Sequence, residues 1–176
     1  SEVDADLFVA YTADPDWEML KAIFPVATGF FPQEGADLGE KMYCAICAVL
    51  EQGYDAVVLT GADLPLMTAA HLESGFAALE RTDIAIGPTS DGGYYLVGMK
   101  QPHRAIFENQ SYGGATVLEN TLSAGKTAGL TLALAASCDD VDTPEDLENL
   151  AKTVGPDSHT GAYLKELGMI ADTFVL

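Results

Sequence analysis

Positive charge is what this sequence lacks most. Eight Lys and Arg stand against 27 Asp and Glu, a net charge of −19 at pH 7 over 176 residues. A surface of that sign repels nucleic-acid backbones and anionic membranes, so neither is expected as a partner. A phosphate-bearing ligand would need local positive charge, and a divalent cation held by carboxylates is the natural source. Cysteine is also scarce, with three residues at 44, 47 and 138. An odd, small number fits a reducing compartment rather than a disulfide scaffold. The N-terminal run SEVDADLFVAY has no basic region and no cleavable apolar core, so a cytoplasmic location is expected. No apolar run approaches the ~20 residues that span a bilayer.

Other absences narrow the chemistry. There is no G-x-S-x-G, which excludes a hydrolase nucleophile elbow. Neither G-x-x-x-x-G-K-[ST] nor G-x-G-x-x-G occurs, which argues against a P-loop or a Rossmann dinucleotide site. His71, His103 and His159 pair with no Cys or Ser at a suggestive spacing and are read as structural or exposed. Cys44 and Cys47 form a C-x-x-C, but KMYCAICAVL reads as the middle of a buried helix with no second ligand pair, so they are read as small hydrophobes.

What the sequence does have is 48% hydrophobic residues, enough for one domain over 1–176 with a core of its own. Short β-branched runs alternate with helical periods. DLFVAY (6–11) reads as a strand, Asp14-Pro15 as the start of a helix, and VATGFF (26–31) as a second strand. Asp37 and Glu40 form a D-x-x-E capping box, and Gly53 closes that helix. DAVVLTG (55–61) is apolar on both faces, which predicts a central, doubly covered strand. Thr68 caps the next helix. DIAIGP (83–88) and YYLVGMK (94–100) flank the turn TSDGG. The helix ATVLENTLSAG, the strand LTLALAA and a helix capped at Thr143-Pro144 follow. Residues 156–176 read as a peripheral helix and an extended end. The order predicts an α/β domain with a mixed, mostly parallel sheet. In such sheets ligands bind beyond the carboxyl ends of the strands.

Four segments fall at that edge. Asp63 follows DAVVLTG and, with the helix already capped by Thr68 and the chain stiffened by Pro65, is free to act as a metal ligand. SDGGYYLVG (90–98) carries Asp91 and two glycines that allow close backbone approach. Tyr94 and Tyr95 point to opposite faces of a strand, which aims one at a pocket. Asp139, Asp140 and Asp142 are more acids than capping needs, and a cation would relieve their repulsion. QEGADLGEKM (33–42) runs into a helix N-terminus whose amides could receive a phosphate or a base edge.

The ordered set DLGEKM, VVLTGADLP, GPTSDGGYYLVGMK and DVDTPEDL resembles one family, the GT-A-type glycosyltransferase-like proteins designated radical-SAM/selenodomain-associated transferase 1. Members are largely uncharacterised bacterial proteins, similar in fold to nucleotide-diphospho-sugar transferases and to nucleotidyltransferases. The resemblance runs from about residue 6 to residue 150. It implies a three-layer α/β/α fold and Mg²⁺ or Mn²⁺ held by Asp63 and Asp142. It implies a catalytic role for Asp91, with Gly92, Gly93 and Tyr94 on the sugar or acceptor side and Gln33, Leu38, Gly39 and Lys41 near the nucleotide. In the family a first strand and a basic K-x-P-x-P-G-x-x-K-T-R-L loop precede the equivalent of residue 6, and that motif does not occur in these 176 residues. An exposed sheet edge, and with it a homodimer, is then expected. Three functions are compatible with this reading. They are transfer of a sugar from a nucleotide sugar to an acceptor the sequence does not name, nucleotidyl transfer on the same fold, and non-catalytic binding on a degenerate frame.

Overall fold

The computed structural model describes residues 3–12, 14–155 and 157–170. The expected extended end beyond residue 170 lies outside them. The chain order is β1 (Phe8–Tyr11), α1 (Trp17–Ile23), β2 (Gly29–Pro32), α2 (Leu38–Leu50), β3 (Val57–Thr60), α3 (Ala69–Leu79), β4 (Ile84–Pro88), β5 (Tyr94–Met99), a 3-10 turn (Arg104–Ile106), α4 (Val117–Thr127), β6 (Leu132–Leu134), α5 (Pro144–Thr153) and α6 (His159–Glu166).

The strands form two sheets rather than the single sheet expected. β1 and β2 pair in parallel, and a second sheet has the order β3-β5-β4-β6. β3, β4 and β6 run the same way while β5 opposes them, so the sheet is mixed with three of its four strands parallel. The DAVVLTG strand is not central. It is the outer strand β3, of which only Val57 is buried. The antiparallel β5 inserts between β3 and β4, and these two middle strands supply the buried apolar residues instead, with Ile84, Ile86, Leu96, Val97 and Met99 inaccessible to solvent. β1 joins this body through side chains. The Phe8 ring meets the Tyr54 ring edge-on at 5.3 Å, and the Tyr54 hydroxyl donates to Asp6 Oδ2 at 2.6 Å.

Helices cover both faces. Ile46 and Val49 of α2 pack with Val57, Ile84, Ile86, Val97 and Met99, with Leu118 of α4 against the same cluster. Leu72 of α3 packs on Leu64, Tyr95 and Leu96 from the other side. Gly75 brings α3 close, since a Cβ there would lie 3.2 Å from the Leu96 side chain. The layers are those of the expected α/β/α fold.

Local signals set most of the helix starts. The Asp37 carboxylate accepts from Glu40 N at 2.8 Å and the Glu40 carboxylate from Ala36 N at 2.9 Å. Thr143 and Asp146 cap α5 reciprocally. Thr68 caps α3, but its partner is His71, whose Nδ1 accepts the Thr68 N–H at 3.0 Å. α1 begins later than expected. Asp14 lies at φ +56 outside the helix, and Asp16 is the cap, accepting from Met19 N at 3.1 Å. The second strand starts at Gly29 rather than 26, because residues 24–27 form a turn closed by Ala27 N donating to Phe24 O.

Candidate active site

Three loops leave the carboxyl ends of β3, β4 and β6 on one edge of the larger sheet. Asp63 rises from the first, Asp91 from the second, and the acids 139–142 from the third. One carboxylate oxygen from each of Asp63, Asp140 and Asp142 lies within 4.8 Å of the other two. Asp63 and Asp142 are exposed and Asp140 is half-buried. Burial, and then the charges of Asp142, Asp63 and Asp91, push the Asp140 carboxyl above its ordinary range, with its own backbone amide offsetting part of the rise. Three converging anions in a −19 protein are under mutual repulsion. Their donors are all hard oxygens at spacing a single hard cation can bridge, so the set fits Mg²⁺ or Mn²⁺.

The loops are laced together by hydrogen bonds. Val141 N donates to Asp63 O at 3.2 Å, and Cys138 N donates to Pro88 O at 3.2 Å. Ser90 N donates to Asp139 Oδ1 at 2.7 Å. Behind them the Tyr95 hydroxyl donates to Ala136 O at 2.9 Å.

Asp91 is held from its own turn. The buried Thr89 hydroxyl and the Gly93 amide both donate to Asp91 Oδ1, and these two bonds draw its carboxyl below the ordinary range despite partial burial. Asp91 therefore stays ionised at neutral pH, and no neighbour among the described residues donates to Oδ2. Gly92 has φ +93, and a Cβ there would lie 2.1 Å from the Ala115 carbonyl oxygen. Its own carbonyl accepts from Leu118 N at 2.9 Å, which fastens the turn to α4.

The structure thus brings Asp63, Asp140 and Asp142 together, sets Asp91 near enough for its charge to act on Asp140, and ties Asp139 and Thr89 to the Asp91 turn. The two tyrosines both turn inward. Tyr95 is buried, and the Tyr94 hydroxyl is enclosed beside those of Tyr112 and Thr121, where it makes no well-aligned hydrogen bond among the described residues. The residues assigned to the nucleotide side gather at the start of α2. Gln33 is exposed, with Nε2 3.5 Å from Ala10 O, Leu38 is exposed, and Lys41 is half-buried. Gly39 is buried, and a Cβ there would lie 2.7 Å from the Phe107 carbonyl oxygen, so its role in the fold is to let α2 seat against that loop. The Ala36 and Glu40 amides are already bonded to carboxylates, so they are not open to an anion. A cavity of about 280 Å³ opens beside this turn, but its Arg104 is paired with Glu40 at 2.7 Å and Glu108 at 3.3 Å.

Comparisons with known proteins bear on the family and the fold. The model of the DUF2064 family, described as uncharacterised proteins conserved in bacteria, matches residues 1–114. The chain belongs to the DUF2064 family. A curated relative, the phosphoenolpyruvate guanylyltransferase of Sphaerobacter thermophilus, is 30% identical over 154 residues, which is 85% of this chain and 70% of that protein. A crystal structure from Desulfovibrio desulfuricans G20, of a protein classed by inference as a nucleotide-diphospho-sugar transferase, superposes with a TM-score of 0.84 at 34% identity. The match covers 94% of this chain and 75% of that one. This DUF2064 protein has the nucleotide-diphospho-sugar transferase fold. Among the described residues, no helix is long and apolar enough to cross a membrane.

Proposed function

We propose that this protein is a divalent-cation-dependent transferase that moves a sugar from a nucleotide-sugar donor to an acceptor hydroxyl. The observation that carries the reading is the Asp63–Asp140–Asp142 triad at the strand edge. When bound there, Mg²⁺ or Mn²⁺ would neutralise charge developing on the leaving diphosphate. The protein's own groups do the remaining work. Asp63, Asp140 and Asp142 would hold that ion. Asp91, kept ionised by Thr89 and Gly93, accepts the proton of the attacking hydroxyl through its open Oδ2. The new bond forms from that oxygen to the sugar carbon as the sugar–phosphate bond breaks.

A second reading, nucleotidyl transfer, is favoured by the guanylyltransferase relative. There the acceptor oxygen attacks the α-phosphorus of a nucleoside triphosphate and pyrophosphate leaves. The same triad would serve it, because fold and metal site do not distinguish the two reactions.

A thermal-shift screen of nucleotide sugars and nucleoside triphosphates, with and without Mn²⁺, tests both. At ligand 100-fold above its Kd, binding should stabilise the native state by about 2.7 kcal/mol. Release of nucleoside diphosphate from a sugar donor supports the first reading. Release of pyrophosphate from GTP with phosphoenolpyruvate supports the second. If no nucleotide moves the melting temperature at millimolar concentration, the transferase reading fails and a binding role on this frame remains.

A further inference from the structure

Asp139 stands apart from its neighbours. Asp140 and Asp142 belong to the triad, and Asp146 forms the α5 cap with Thr143. Asp139 does neither. It lies next to Asp140 in a strongly anionic protein, where one more negative charge is unfavourable. Its carboxylate nevertheless spans 49 residues of sequence to accept the Ser90 amide at 2.7 Å, a charge-assisted bond of the stronger kind.

The pattern of ties along this loop is informative. Residue 138 bonds Pro88 O, residue 139 bonds Ser90 N, and residue 141 bonds Asp63 O. The residues between and after the ties, 140 and 142, are the ones that contribute oxygens to the triad. Ser90 is also the residue immediately before Asp91. We infer that Asp139 is a positioning residue, a strut that fixes the triad loop against the Asp91 turn without ligating the cation. The inference rests on the metal-dependent reading above and deepens it, because it makes the distance between the triad and Asp91 a built feature of the site.

The test uses the whole chain and Mn²⁺ alone as the probe. Free Mn²⁺ is followed by electron paramagnetic resonance on the wild type, Asp139→Ala, Asp139→Asn and Asp63→Asn. In parallel, amide exchange at Ser90 is measured without metal. Asp139→Asn keeps an oxygen acceptor and loses the charge, whereas Asp139→Ala loses both. The strut predicts that Asp139→Ala weakens Mn²⁺ binding on the order of 10-fold, the usual effect of removing an outer partner of a metal ligand. It predicts faster Ser90 exchange in the same variant. Asp139→Asn should stay within about 3-fold of wild type, well short of that outer-partner loss, with Ser90 still protected. Unchanged Mn²⁺ affinity in Asp139→Ala, with binding abolished in Asp63→Asn, overturns the strut and leaves the metal site standing. Equal losses in Asp139→Asn and Asp139→Ala also overturn it, since charge or direct ligation would then be the cause. No Mn²⁺ binding by the wild type defeats the metal reading, and the strut falls with it.

Discussion

Thr121 is fully buried in α4, and its hydroxyl, beside that of Tyr94, makes no well-aligned hydrogen bond among the described residues. An unsatisfied buried hydroxyl costs about 1–3 kcal/mol relative to one that is bonded. Thr121→Val should therefore leave stability unchanged or raise it by up to about 1 kcal/mol in denaturant unfolding. A loss of more than that amount would mean the hydroxyl is bonded in solution, directly to the adjacent Tyr94 hydroxyl or through an internal water. At this scale the sequence picks out the acids at the strand edge but not how neighbours divide the contacts there. Asp139, Asp140 and Asp142 are alike by composition and spacing. Only contacts with residues some 50–80 positions away make one a strut and two of them triad members. Thr89 lies only two residues from Asp91, yet nothing in the sequence distinguishes it as the donor that holds that carboxylate.

The turn between β4 and β5 is where an element and the site become one object. The D-G-G signal correctly marks a hairpin, and the strands on either side fall within a residue of their expected bounds. What the signal leaves out is why the first glycine is needed. Gly92 combines φ +93 with the Ala115 carbonyl at 2.1 Å from its missing Cβ, so an added methyl meets both conformational strain and backbone. Gly113 has φ +85 with nothing within 4 Å of that position, and so isolates the conformational cost. Gly92→Ala should destabilise by at least about 2 kcal/mol, and Gly113→Ala by roughly 1 kcal/mol. Equal melting temperatures for the two variants would show that the turn is not clamped on α4. The caps at Asp37, Thr68 and Thr143 were legible because capping is local. The rank of β3 within the sheet was not. A strand's apolarity records that it packs, and β3 packs at an edge where Tyr54 and α2 lie close to it.

For the molecule as a whole, the −19 charge and the acidic strand edge are one problem seen at two scales. Monovalent salt screens the diffuse repulsion over about 8–10 Å and should help any such protein. A cation seated among Asp63, Asp140 and Asp142 would relieve the local repulsion, and the transferase function proposed above depends on that seat. The deciding measurement is a Mn²⁺ titration at fixed ionic strength on the wild type, Asp63→Asn, Asp140→Asn and Asp142→Asn. The account predicts saturable binding of one ion by the wild type, a rise in its melting temperature beyond that given by NaCl alone, and loss of both in each variant. Wild-type affinity retained in all three variants, or no saturable binding at all, would contradict it.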